Sequence, residues 1–166
     1  MKATGIVRRV DSLGRIVVPK EIRRTLRLRD GDPMEIFTAS DGAVVFKKYS
    51  PLHEAERYAA PIAAALSAAA HAGVLICDRE TVLAASADRK KAEGAALGEE
   101  LPAVIEARRP FSGSCALLAG GEREDCLVCP VISDSDAVGA VVLLSQREED
   151  APLVRLCARL LAALTE

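Results

Sequence analysis

The sequence has no tryptophan and only five other aromatic residues, Phe37, Phe46, Phe111, Tyr49 and Tyr58. Base stacking on an aromatic platform, as single-strand binders use it, therefore has almost nothing to work with. Only two histidines occur, His53 and His71, both in or near one alanine-rich stretch. No Ser/His/Asp or Cys/His set stands in a motif context, and no carboxylates are paired at an interpretable spacing, so an enzyme is not expected. Gly14 is followed by no glycine-rich run and no Gly-Lys-Ser/Thr, which excludes a phosphate loop. The start, Met1-Lys2-Ala3-Thr4-Gly5, turns basic without an apolar core or a small-residue cleavage site, so a cytoplasmic location is expected. The longest uncharged stretch, 59–77, is mostly alanine and is interrupted by Pro61, Ser67, His71 and Gly73. It lacks the dense Leu/Ile/Val of a membrane span.

Cysteine is present but patternless. The five residues Cys77, Cys115, Cys126, Cys129 and Cys157 are odd in number and fit reduced thiols better than a disulfide framework. Cys126-Leu127-Val128-Cys129 is a lone C-x-x-C with no second pair and no neighbouring histidines. On a regular strand its two thiols face opposite sides, so no metal and no cofactor are expected. A redox or metal sensor is the alternative.

What is there is an uneven charge distribution. Half of the 166 residues are apolar, ample for a folded core, and the net charge is −2. That value averages two unlike parts. Residues 1–50 carry eleven Lys and Arg against six Asp and Glu, a balance of +5, and residues 51–166 carry eleven against eighteen, −7. Residues 1–29 alone hold nine basic and two acidic side chains, +7. A basic head on an acidic body suits a polyanionic partner.

In the head, residues 3–9 read as a strand, Asp11-Ser12-Leu13-Gly14 as a turn and residues 15–18 as a second strand rich in β-branched residues. Pro19 fits the first position of a helix over 20–26, with Ile22 and Leu26 on one face. Asp30-Gly31-Asp32-Pro33 ends it. Residues 34–39 and 43–48 flank Ser40-Asp41-Gly42 as a hairpin. A β-β-α-β-β unit of about 50 residues is marginal alone and calls for a partner surface, so an intimate dimer sharing one core is expected.

The body follows a linker. Its expected elements are an alanine-rich helix over 53–70, with Pro61 starting, kinking or splitting it, and strands over 74–77 and 81–85. Two short helices are expected within 88–109, then strands over 111–118, 127–132 and 138–145, and a closing helix over 151–164. On that last helix Leu153, Leu156, Leu160 and Leu164 form one stripe. An antiparallel sheet with helices gathered on one side makes the fold class α+β. The domain boundaries are 1–50 for the head, 51–56 for the linker and 57–166 for the body.

Residues 4–11 (Thr-Gly-Ile-Val-Arg-Arg-Val-Asp) and 13–26 (Leu-Gly-Arg-Ile-Val-Val-Pro-Lys-Glu-Ile-Arg-Arg-Thr-Leu), continued by 31–37 and 45–49, closely resemble the AbrB-type DNA-binding domain. Element order together with Leu75-Ile76-Cys77-Asp78-Arg79, Pro130-Val131-Ile132 and Gly139-Ala140-Val141-Val142 makes the body resemble a GAF-like domain. The resemblance implies a swapped-hairpin dimer in the head and a transcription factor of spore-forming bacteria in which dimers pair into a homotetramer. By motif position it implies that Arg8, Arg15, Arg23 and Arg24 contact double-stranded DNA. Lys2, Arg9 and Lys20 sit beside them and are further candidates for phosphate, because arginine and lysine supply the cationic donors that phosphates and guanine edges accept. The GAF-like resemblance suggests a small-molecule effector, with residues 88–109 and 120–125 as a pocket lid. The body's helical stripes suit assembly as well.

Two rival functions remain. An antitoxin-type protein would use the same head to sit on DNA and sequester a toxin through its tail, but such tails are short and disordered. A metabolite or redox sensor that has lost DNA binding would not be expected to keep the arginine motif.

Overall fold

The computed structural model describes residues 5–26, 28, 30–50, 52 and 55–165. The chain divides into two compact units, residues 1–49 and 50–166.

In the first unit a tight turn follows residues 5–10. Asp11 organises it: its side chain accepts from the backbone N–H of Leu13 and Arg15, both at 2.9 Å, and its carbonyl accepts from Gly14 at 3.0 Å. Gly14 closes the turn with φ +77°, a conformation other residues rarely adopt. The flanking segments share one backbone bond, Asp11 N to Arg15 O at 3.0 Å, and form no ladder among the described residues. Of the strands expected over 3–9 and 15–18, the described residues 5–9 and 15–18 are therefore not strands within one chain, because no described segment of that chain offers its amides to them, and residues 3 and 4 lie outside the described residues.

Helix α1 (Lys20–Thr25) follows Pro19, which caps the helix rather than opening it. A shift of one residue at a helix end is within the ordinary fraying of helix boundaries. β1 (Met34–Thr38) and β2 (Val44–Lys48) form an antiparallel hairpin with Ile36 opposite Phe46. Almost nothing in this unit is buried. Val7, Val10, Ile16, Val17, Ile36, Val44 and Phe46 all expose large apolar side chains.

The second unit has a two-sided core. Helix α2 (Glu56–Ala70) continues through Pro61, which neither starts nor splits it, and ends at His71 in the left-handed conformation. β3 (Val74–Cys77) and β4 (Val82–Ala85) turn around Asp78, whose side chain accepts from the N–H of Glu80 and Thr81, both at 2.7 Å. A 3-10 helix (Ala87–Ala92) and α3 (Leu101–Glu106) lead to β5 (Phe111–Ala116). β6 (Arg123–Ser133) and β7 (Asp136–Leu143) join through Asp134 and Ser135, both at positive φ, a two-residue hairpin turn. Helix α4 (Ala151–Ala163) closes the chain.

The sheet order is β4-β3-β7-β6-β5, antiparallel throughout. All four residues of β3 are buried, because both faces of the sheet are covered. Val74, Ile76, Leu127, Val141 and Leu143 pack under α2 and α4, while Leu75, Cys77, Val128 and Val142 pack with Leu101 and Ile105 of α3. The helices are thus not gathered on one side. The period-2 alternation of fully apolar strands supplies two greasy faces, and each needs a cover. Leu52 and Ala55, inside the expected linker, are buried in the α2–α4 side of the core.

Helix α4 decides which of its faces meets the core. It buries Val154, Ala158 and Leu161, whereas Leu153, Leu156 and Leu160 are 37%, 64% and 48% exposed. Ala158 lets the helix approach the sheet, which turns the leucine stripe outward. Arg147 fastens the start of α4 to the end of α2 by donating to the Ala70 carbonyl at 2.6 Å and to the buried Asp150 carboxylate at 3.0 Å. Among the described residues no helix is long and apolar enough to cross a membrane.

Candidate nucleic-acid interface

Among the described residues, the candidate basic side chains of the first unit sit beside its turn and on α1, while Lys47 and Lys48 lie on β2. Arg8, Arg9, Arg15, Lys20, Arg23 and Arg24 are all exposed. Lys2 lies outside the described residues. Arg15 donates from Nε to Asp11 Oδ2 at 2.8 Å. The Arg15 backbone N–H, and then this side-chain bond, hold the Asp11 carboxyl below its ordinary value. The same carboxylate therefore shapes the turn and aims Arg15. Arg23 lies 3.5 Å from the fully exposed Asp30, a pairing that solvent screens almost completely. Among the described residues, Arg8, Arg9, Lys20 and Arg24 have no carboxylate within ion-pair distance. Arg23 and Arg24 occupy the last turn of α1, where the helix dipole favours positive charge.

The C-x-x-C cysteines part company as the strand alternation requires. Cys126 is buried on the α3 side of β6, and Cys129 packs on the α4 side. Desolvation pushes the Cys126 and Cys77 thiols up to about 12. Among the described residues no group of three or more His, Cys, Asp or Glu is placed to hold a metal ion.

Sequence reasoning missed an open groove of about 330 Å3 between the β5–β6 edge and the start of α4. Residues 88–109 and 120–125, expected as a pocket lid, do not line it. Ala92, Leu97, Leu101 and Ile105 of the first segment are instead core. No local motif marks the groove, because three separate stretches of chain converge to make it.

Comparison with known proteins places these features in a family. Residues 54–163 match the family model described as stage V sporulation protein T C-terminal, transcription factor. The chain belongs to the stage V sporulation protein T family. It is 46% identical over 153 residues to stage V sporulation protein T of Bacillus subtilis (strain 168), covering 88% of this chain and 86% of that protein. Residues 7–52 match a second model, antidote-toxin recognition MazE, bacterial antitoxin. Over 51 residues the chain is 53% identical to the transition state regulatory protein AbrB of the same organism, covering 31% of this chain and 52% of that protein. The crystal structure of a GAF domain from Acinetobacter phosphoenolpyruvate-protein phosphotransferase aligns with 72% of this chain and 84% of its own, at TM-score 0.55 and 12% identity. That likeness shows the GAF-like fold alone. The stage V sporulation protein T family chain is thus an α+β transcription factor with an AbrB-like head and a GAF-like body.

Proposed function

We propose that this family member binds double-stranded DNA through its head, as a regulator of sporulation genes, with Arg8, Arg15, Arg23 and Arg24 on the duplex and Lys2, Arg9 and Lys20 on flanking phosphates. The observation that carries the reading is the +7 balance of residues 1–29 together with the exposure of every described basic side chain named here. Arg8 and Arg24, with no carboxylate partner among the described residues, are free to displace counterions from phosphate, and the exposed pairings of Arg15 and Arg23 are weak competitors.

The head acts as a swapped-hairpin homodimer. Two observations support this. Residues 5–10 and 15–18 offer ladder edges with no partner among the described residues of their own chain, and the large apolar side chains around them are exposed. A second copy answers both needs. The body joins dimers into a homotetramer through the outward leucines of α4, since Leu153, Leu156 and Leu160 form a contiguous apolar face. It also receives a small-molecule effector, a role for which it offers an open groove. The protein acts in the cytoplasm.

The 7–52 match gives the antitoxin alternative its footing. A toxin-sequestering tail is extended, however, and residues 50–166 form a folded unit. The test is fluorescence anisotropy of the full chain on duplex DNA, beside the variant Arg23→Ala/Arg24→Ala. Tight binding that the variant loses supports the reading, and binding unchanged in the variant overturns it. Sedimentation of Leu156→Asp/Leu160→Asp tests the assembly: a tetramer reduced to a dimer is expected, and an unaltered tetramer excludes α4 as the joint.

A further inference from the structure

The α4 side of the body sheet is covered incompletely. α2 and α4 shield β3, β7 and the middle of β6, but β5 lies at the sheet edge. Ser112 of β5 is opposite Leu127 of β6, and the first turns of α4 stand beyond them. The space between is the groove of about 330 Å3, at the lower end of the roughly 300–1,000 Å3 of small-molecule clefts.

Its lining has two chemical halves. Leu127 and Val154 are buried and make an apolar floor, with half-buried Phe111 beside them. Exposed Arg155 stands at the mouth, with Glu148 also on the lining. Arg159 lies four residues on, hence on the same side of α4 as Arg155. Burial pushes the thiol of Cys129, which also lines the groove, above its ordinary value, and the two guanidinium groups offset part of that rise. Arg155 lines the groove and Arg159 stands one helical turn beyond it, so both charges lie beside it. Neither arginine has an ion-pair partner among the described residues. In a body of net charge −7, two arginines one helical turn apart beside an apolar trough make a local positive patch.

We propose that this groove binds a small amphipathic carboxylate, its hydrocarbon chain laid on Leu127, Val154 and Phe111 and its carboxylate held by Arg155 with Arg159 behind it. Arginine suits this task because its fork matches a carboxylate in two parallel hydrogen bonds. The site rests on the effector reading only for its regulatory consequence. Occupancy is a property of the body alone.

The test uses the full chain and octanoate as the probe, with Cys129 as the reporter. Iodoacetamide alkylation of Cys129 is followed by peptide mass spectrometry, and Cys157, half-buried on α4 outside the groove lining, is the internal control. Millimolar octanoate is expected to slow alkylation of Cys129 and leave Cys157 unchanged, while 1-octanol protects far less. Arg155→Glu should weaken the protection by about tenfold or more, and Arg155→Lys should keep part of it. The inference is overturned by no protection from octanoate, or by equal protection from 1-octanol. It is also overturned by protection that rises with protein concentration without octanoate, which would mean that a second copy fills the groove. DNA plays no part in this assay, so its failure leaves the DNA-binding reading standing.

Discussion

Ile36→Ala separates a shared-core head from a self-sufficient one. Within a single chain Ile36 is 62% exposed, opposite Phe46 at 44% and on the same hairpin face as Val44 at 55%. Fully burying such a side chain contributes about 1.5–3 kcal/mol, so the roughly one-third of it that one chain covers accounts for no more than about 1 kcal/mol. If a second copy completes the core, truncation also leaves a cavity and costs about 2–5 kcal/mol per copy. Hydrogen exchange of the Ile36–Thr38 and Val44–Phe46 amides in the full chain reads the difference, since about 1.4 kcal/mol is a tenfold change in an equilibrium constant. A shared core predicts exchange accelerated by more than about thirtyfold, and wild-type protection that rises with protein concentration. Acceleration below about fivefold, with no concentration dependence, would refute the shared core.

Three further outcomes are expected. A Cβ at Gly139 would lie 2.1 Å from the Cys77 carbonyl oxygen and 2.3 Å from Leu52, so Gly139→Ala should lower the stability of the body by about 1–3 kcal/mol or more in chemical denaturation. An unchanged midpoint would contradict the close approach of β7 to β3. Because the Asp11 carboxyl is held below 3.8 in the folded turn, its contribution is present above pH 3.8 and lost as pH falls further. Asp11→Ala should therefore loosen the turn at neutral pH and flatten the acid limb of head unfolding, measured by exchange of the Leu13 and Arg15 amides. Finally, with the Cys77 and Cys126 thiols raised to about 12, both should resist alkylation at pH 8 until the body unfolds, because the thiolate is the reacting form. Rapid labelling of either in native protein would contradict the packing of the α3 side.

Much of the body was legible because its strands are short, β-branched and bounded by turn residues such as Asp78-Arg79-Glu80 and Ser133-Asp134-Ser135-Asp136. Two kinds of feature were not. Helical periodicity located α4 and its leucine stripe but left open whether that stripe met the core or a partner, since Val154 and Ala158, which the sheet buries for close fit, are less hydrophobic than Leu153, Leu156 and Leu160. Residues 3–9 and 15–18 read as strands because their side chains favour extended backbone, yet ladder bonds need a partner, and the described residues of one chain do not supply it. The arginines were legible as a charge cluster and as motif positions. The β5–β6–α4 groove was not, because Phe111, Leu127 and Arg155 become neighbours only through the sheet order.

The salt dependence of DNA affinity tests the central claim most directly. A symmetric head dimer that neutralises roughly six to ten phosphates predicts that log K falls with log salt at a slope of about −5 to −9. Replacing Arg23 and Arg24 by alanine in both copies should reduce that slope by up to about 4. A slope near zero, or one that the double variant leaves unchanged, would contradict the assignment of the basic head to the DNA backbone.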